Sequence, residues 1–312
     1  PHQHTALETV PLNRGRTHHY FSTERFIAVK KFVATLALVP LAFGLAACGS
    51  SSSDDVVKIG VVGTDPSNDK LVEVAKAEGI NIEIVEFSDY TQPNPAQSSG
   101  EIDLNWFQHI AYLSNYNVEA NDDLQIVGPT VIYPMALFSN KHDSISALPQ
   151  DAEIAIPNDT VNEARALLLL EANGLVSFTS ETTTPTVDDI DTAASKVTVT
   201  PVDAAQTVLA LESVDGSVIN NDFLKDAGLN PKAALAQDDP ANESARPYVN
   251  LFVSTADNAD NETYKKIVEL YHTEAVQAVV QEDTQGTAVE VTTDLPELRS
   301  TLATLEEQKR KG

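Results

Sequence analysis

The sequence predicts an α/β protein of two lobes, each a mixed, mostly parallel sheet flanked by helices. Three observations carry that expectation. Apolar strand-like runs alternate with amphipathic helical stretches at short spacing, as parallel βαβ units require. The alternation occurs in two consecutive series. A long proline-containing connection, "VIYPMALFSNK" (131–141), lies between them.

The first series opens with "VVKIGVVG" (56–63), an apolar run ending in glycine that reads as a buried strand. "NDKLVEVAKAEG" (68–79) follows with helical spacing of Leu71, Val72, Val74 and Ala75, with Asn68 as N-cap and Gly79 past the last turn. "INIEIVEF" (80–87) alternates with period two. The unit repeats as a strand over 101–107, a helix from Gln108 to Val118 and a strand near 124–127. In the second series "AEIAIPND" (152–159) is a strand and "TVNEARALLLLEANG" (160–174) a helix closed by glycine. "SKVTVTPV" is a strand, "AAQTVLALES" a helix and "GSVINN" (216–221) a short strand end. "YVNLFVS" (248–254) is β-rich, and one helix is expected over 262–281. Thr-rich 177–189 reads as a loop, and 296–312 as a surface helix with a frayed end and no evident role. The expected boundaries are 56–134 for lobe 1, with 251–295 returning to it, and 135–250 for lobe 2.

Charge narrows the partners. The chain carries 20 Lys+Arg against 46 Asp+Glu, a net charge of −26 over 312 residues. Phosphate backbones are bound by Lys and Arg, so nucleic acid is excluded as a partner, as is docking on anionic lipid through a basic patch.

The N-terminal region sets the expected location. Lys30 and Lys31 precede an apolar run from Phe32 to Ala47, too short to span a bilayer but suited to a signal-peptide core. It ends Leu45-Ala46-Ala47-Cys48-Gly49, which resembles a bacterial lipobox whose cysteine becomes the lipidated first residue. Cys48 is the sole cysteine, so no disulfide, thiol nucleophile or cysteine metal site is expected. Residues 29–47 are therefore read as a lipoprotein signal peptide and 48–55 as a Ser-rich tether. Residues 1–28 are read as an upstream segment, with Val29 as the candidate start, because the chain begins with Pro1 and its one methionine is Met135. Removing residues 1–47 takes the net charge to about −29. The expected location is the extracytoplasmic face of the cell membrane, held there by lipid on Cys48.

Open α/β sheets bind ligands beyond the carboxyl ends of their strands, and two such lobes facing one another make a cleft. The residues at those ends are Tyr90, Phe107 and His109 in the first series and Tyr133 in the connection. The second series adds Asn158, Asn162, Arg165 and Asn220. Aromatics, amides and one guanidinium suit a zwitterion with an apolar side chain. Arg165 lies three residues after Asn162, on the same helix face, near an N-terminus that favours anions. Its simpler reading is a surface arginine paired with Glu163 or Glu171. His109, His142 and His272 are scattered without metal-ligand spacing, so no metal or other cofactor is expected. G-x-S-x-G, Walker A and G-x-G-x-x-G motifs are all missing, which favours binding without chemistry.

At the end of the third strand, "GEIDLNWFQHIAYL" (100–113) resembles the D-x-N-x-F-Q-H-x-x-Y-L signature of the NlpA-type (MetQ) methionine-binding lipoproteins. "FSDYTQPN", "VIYPMALFS", "IPNDTVNEARALLLLEANGL", "DGSVINN" and "PYVNLFV" match further blocks of that family in order. The resemblance runs from Val56 through the helical region 262–281. It implies a two-lobed periplasmic-binding-protein fold, type II-like, that delivers methionine to an ABC permease with its ATPase. It also implies a monomer, and no enzymatic activity. By position, Tyr90, Phe107 and His109, with Trp106, would wall the side chain, and Tyr133 would flank the hinge. Asn162 and Arg165 would hold the α-carboxylate, and Asn220 would bind the amino-acid backbone groups. Pro95, the proline-free Asp159-Thr160-Val161 and Met135-Ala136 depart from the family pattern. The alternatives are another apolar amino acid or a methionine-containing short peptide, and an enzyme built on the same two lobes.

Overall fold

A computed structural model describes residues 56–311 of the chain; the signal segment, Cys48 and the Ser-rich tether lie outside the described residues. Two five-stranded sheets form two lobes. The first sheet contains β1 (Val56–Val62), β2 (Asn81–Phe87), β3 (Leu104–Asn105), β4 (Gln125–Pro129) and the returning β11 (Leu251–Ser254), in the order β2-β1-β3-β11-β4. β1 runs parallel to β2 and β3, while β11 lies antiparallel between β3 and β4. The second sheet contains β6 (Ala136–Phe138), β7 (Ala152–Pro157), β8 (Val197–Val202), β9 (Gly216–Ile219) and β10 (Ala236–Gln237), in the order β10-β6-β9-β7-β8. β7 is parallel to β8 and β9; β6 is antiparallel to β9 and β10.

The chain crosses between sheets twice, and the crossings are stitched together. Thr130 N–H donates to the Asn250 carbonyl at 2.8 Å, and Asn250 N–H to the Val131 carbonyl at 2.9 Å. A short ladder adds to this, β5 (Val131–Ile132) pairing antiparallel with β12 (Val289–Glu290). The pairing holds both crossing segments in one register, as a hinge between lobes requires.

Helices cover the sheets where their apolar faces need burial. α1 (Pro66–Ala77) begins three residues earlier than its periodicity indicates. Asp65 caps it by accepting the Ser67 N–H at 2.8 Å, and Pro66 takes the first helical position, where its missing N–H costs nothing. α2 (Pro93–Ser98) and α3 (Ile110–Ala120) flank β3, which is only two residues long. The single helix expected over 262–281 is two, α6 (Glu262–Tyr271) and α7 (Glu274–Asp283), with Thr273 as the N-cap residue of the second. α8 (Leu295–Lys311) is a full helix whose Leu298 and Leu302 are buried in the core that α3 shares. In the second lobe α4 (Thr160–Ala172) is as long as its pattern implies, but α5 (Thr207–Ala210) is a single turn behind a 3-10 turn.

Trp106 corrects one reading of the sequence. It continues the face of Leu104 into the first-lobe core, its ring 4.9 Å from Phe252 and 5.2 Å from Tyr271 between centroids. Phe107, on the opposite face, points toward the other lobe. Strand alternation therefore sends these adjacent aromatics to different places.

Candidate functional site

A cavity lies between the lobes. It is lined by seven of the eight ligand-contact residues expected from the sequence: Tyr90, Phe107, His109, Tyr133, Asn162, Arg165 and Asn220. Trp106 does not line it, because its ring is spent on the core.

The first-lobe wall is built on the loop after β3. Gln108, between Phe107 and His109, commits its side chain to a buried amide network. It donates to Asn94 at 2.6 Å and Asn105 at 2.7 Å and accepts from Asn94 at 2.9 Å. A satisfied polar network of this kind rigidifies the loop that presents its neighbours. Phe107 and Tyr90 stand 5.9 Å apart between ring centroids, and Tyr112 closes the group at 5.8 Å from Phe107.

His109 does two jobs at once. Its ring Nδ1 accepts the Tyr112 N–H at 3.1 Å and so caps α3. Nδ1 is therefore unprotonated and Nε2 carries the hydrogen, which points at Asn162 Oδ1 of the other lobe, 3.2 Å away. Burial, and then the Arg165 charge, push this imidazole down to about 3. It is neutral wherever the protein is folded at ordinary pH.

Asn162 is positioned by Asp159, the N-cap of α4, which accepts both its backbone N–H at 2.9 Å and its side-chain amide at 3.0 Å. Its Oδ1 faces His109 and the Asn220 amide, the latter at 3.3 Å. Asn162 thus joins Asp159 and Asn220 of its own lobe to His109 of the other. Asn220 is different: its buried Oδ1 has no hydrogen-bond partner. An unmatched acceptor in a cavity wall is costly unless a ligand donor meets it.

Arg165 is buried, in the second turn of α4, and its partner is neither Glu163 nor Glu171. Nε donates to Asp238 at 2.7 Å, Nη2 donates to the Tyr133 carbonyl at 2.9 Å, and the guanidinium carbon lies 4.0 Å over the Tyr248 ring. These contacts use Nε and one hydrogen of Nη2, leaving the Nη1 hydrogens and the second of Nη2. That free edge has the fork geometry that grips a carboxylate.

Four participants escaped sequence reasoning. Tyr112 and Asn250 line the cavity and lie inside the matched blocks, three residues after His109 and in "PYVNLFV". Asp222 also lines it and accepts the Tyr90 hydroxyl at 2.6 Å. Burial pushes Asp222 up to about 7, against the pull of Tyr90 and with Asp65 adding repulsion. Asp238, 73 residues from Arg165, carried no local signal at all.

Residues 57–292 match the model of the NlpA lipoprotein family. The D-methionine-binding lipoprotein MetQ of Escherichia coli is 34% identical over 277 residues, 86% of this chain and 98% of that protein. The probable D-methionine-binding lipoprotein MetQ of Haemophilus influenzae is 36% identical, over 72% of this chain and 83% of its own. Among solved structures, a nutrient binding protein from Burkholderia cenocepacia bound to methionine superposes with TM-score 0.70 at 34% identity, covering 75% of this chain and 99% of that one. The substrate binding protein of a methionine transporter from Streptococcus pneumoniae gives TM-score 0.70 at 36% identity, covering 76% and 95%.

Proposed function

We propose, from the premise that this chain belongs to the NlpA lipoprotein family, that it is an ABC-importer substrate-binding protein that captures methionine between its two lobes. Lipid on Cys48 holds it at the extracytoplasmic face of the membrane, where it works as a monomer and hands its ligand to the permease. Among the described residues no helix is long and apolar enough to cross a membrane. The lobes are 56–134 with the returning segment from 251, and 135–250. The C-terminal helix α8 goes with the first, since it packs on α3 and β4.

One observation carries the ligand class: the open edge of Arg165 and the unpartnered Oδ1 of Asn220 line the same cavity. One takes a carboxylate and the other an ammonium, so together they describe a zwitterion. The rings of Tyr90, Phe107 and Tyr112 then meet its side chain, and a polarizable thioether is stabilised against aromatic edges. Closure on the ligand is a population shift between open and closed lobes, with no bond made or broken.

The test is isothermal titration of L- and D-methionine into the domain from residue 49, unfolded and refolded to strip carried-over ligand. Tight one-to-one binding of at least one enantiomer is expected. Heat from leucine, phenylalanine or a short methionine peptide, but none from methionine, would replace the ligand and keep the class. Absence of heat from all of them, with a folded circular dichroism spectrum, would sink the transport reading.

A further inference from the structure

Asp238 follows β10 directly, and its backbone extends that strand's ladder, its N–H donating to the Met135 carbonyl at 3.0 Å. Its carboxylate is shared: Oδ2 takes the Arg165 Nε hydrogen at 2.7 Å and Oδ1 takes the Met135 N–H at 2.8 Å. The carboxylate is thus fixed by backbone on one side and fixes the guanidinium on the other. With the Tyr133 carbonyl and the Tyr248 ring, it limits how Arg165 can rotate. The Asp238 side chain remains a quarter exposed, so water relieves part of its charge.

Two effects of Asp238 on a bound carboxylate have opposite signs. Its negative charge partly neutralises Arg165 and repels a second carboxylate. Its acceptor geometry turns the two-pronged edge of the guanidinium into the cavity, so that a carboxylate meets two parallel N–H groups rather than one. The charge effect is weakened by solvent, whereas the geometric one acts on a group that is only 6% exposed.

We propose that Asp238 is a positioning residue that selects for ligands with a free carboxylate by aiming Arg165, acting through its acceptor geometry rather than its charge. It rests on the methionine reading above for its probe, but the orientation of Arg165 is measurable without any ligand.

The experiment titrates L-methionine and L-methioninol, which lacks the carboxylate, into the wild-type domain, Asp238→Ala and Asp238→Asn. Asp238→Ala is expected to weaken methionine by about tenfold or more and methioninol by less than about threefold, the loss of one charge-assisted contact. Asp238→Asn keeps one acceptor for Arg165 Nε without the charge but sets its amide N–H against the Met135 N–H, so it is expected to weaken methionine by less than Asp238→Ala does. Equal weakening by both variants would assign the effect to charge, and tightening by both would assign it to repulsion; either overturns the proposal. So does loss of both ligands alike in Asp238→Ala, or a fall in its ligand-free melting midpoint that matches the loss of affinity. If the wild type binds neither ligand, the methionine reading fails. Crystal structures of ligand-free wild type and Asp238→Ala then decide. A guanidinium turned from the cavity in the variant supports the proposal, and an unmoved one overturns it.

Discussion

Tyr90, in the first lobe, donates its hydroxyl to Asp222, in the second, at 2.6 Å, and both residues line the candidate cavity. Beside it the Tyr90 ring lies 5.2 Å from that of Phe223, and Lys225 pairs with Asp283 across the same boundary. A short segment after β9 therefore fastens the lobes together. Tyr90→Phe keeps the aromatic wall and removes the donor, leaving Asp222 buried without it. Methionine affinity is expected to fall by about three- to thirtyfold through a faster off-rate, read by stopped-flow dissociation. An unchanged off-rate would remove this bond from the closing mechanism.

Gly63 meets Asp222 from the other side. Its φ is +74°, in the left-handed region, and a Cβ there would sit 2.2 Å from the Asp222 carbonyl oxygen. Gly63→Ala is therefore expected to hold the lobes apart and to strain the turn after β1. Small-angle scattering should show ligand-induced compaction in the wild type and little of it in the variant.

Burial raises the Asp222 carboxyl from its ordinary 3.8 to about 7 in the folded, closed protein. Below pH 3.8 the group is protonated whether folded or not, and no stability is lost. Between about 4 and 7 the unfolded chain releases the proton while the folded one keeps it, so stability falls as pH rises, and levels off above 7. Asp222→Asn should remove this slope. Denaturation of wild type and variant from pH 4 to 8 checks it, the variant gaining relative stability toward high pH.

His109 contributes the opposite slope. Its ring is pushed from 6.5 to about 3, so the unfolded chain takes up a proton between those values and the folded one does not. Stability from this group is complete above pH 6.5 and declines as pH falls toward 3. Nitrogen-15 NMR is expected to find His109 neutral, with hydrogen on Nε2, at pH 5. A protonated ring at that pH would contradict the capping role of Nδ1.

The single tryptophan gives a simple control. Trp106→Ala is expected to cost about 3–5 kcal/mol of stability by leaving a core cavity. Trp106→Phe should leave methionine affinity within about twofold, since Trp106 does not line the cavity and its ring packs on Phe252 and Tyr271. Tryptophan emission in the wild type should respond weakly to ligand.

Periodicity and capping chemistry determined most elements here, because a strand or helix that buries one face must repeat apolar residues at its own period. β1, β2, β7 and α4 stand where their patterns put them. It failed where a neighbour overrides local pattern: Asp65 and Pro66 start α1 ahead of Asn68, and a break before Thr273 divides what reads as one helix. The sequence also brought out Tyr90, Phe107, His109, Arg165 and Asn220 as candidates, since polar and aromatic residues at strand ends have no core role to fill. What it left undecided was direction and partnership. Whether Trp106 or Phe107 faces the cavity depends on which side of a two-residue strand meets the second lobe. Which carboxylate holds Arg165, and which meets Tyr90, depends on segments 73 and 132 residues away that become neighbours only when two sheets are joined by crossing strands. Side-chain chemistry is written locally, but the hydrogen bonds that aim it are long-range, so only the tertiary structure could assign them.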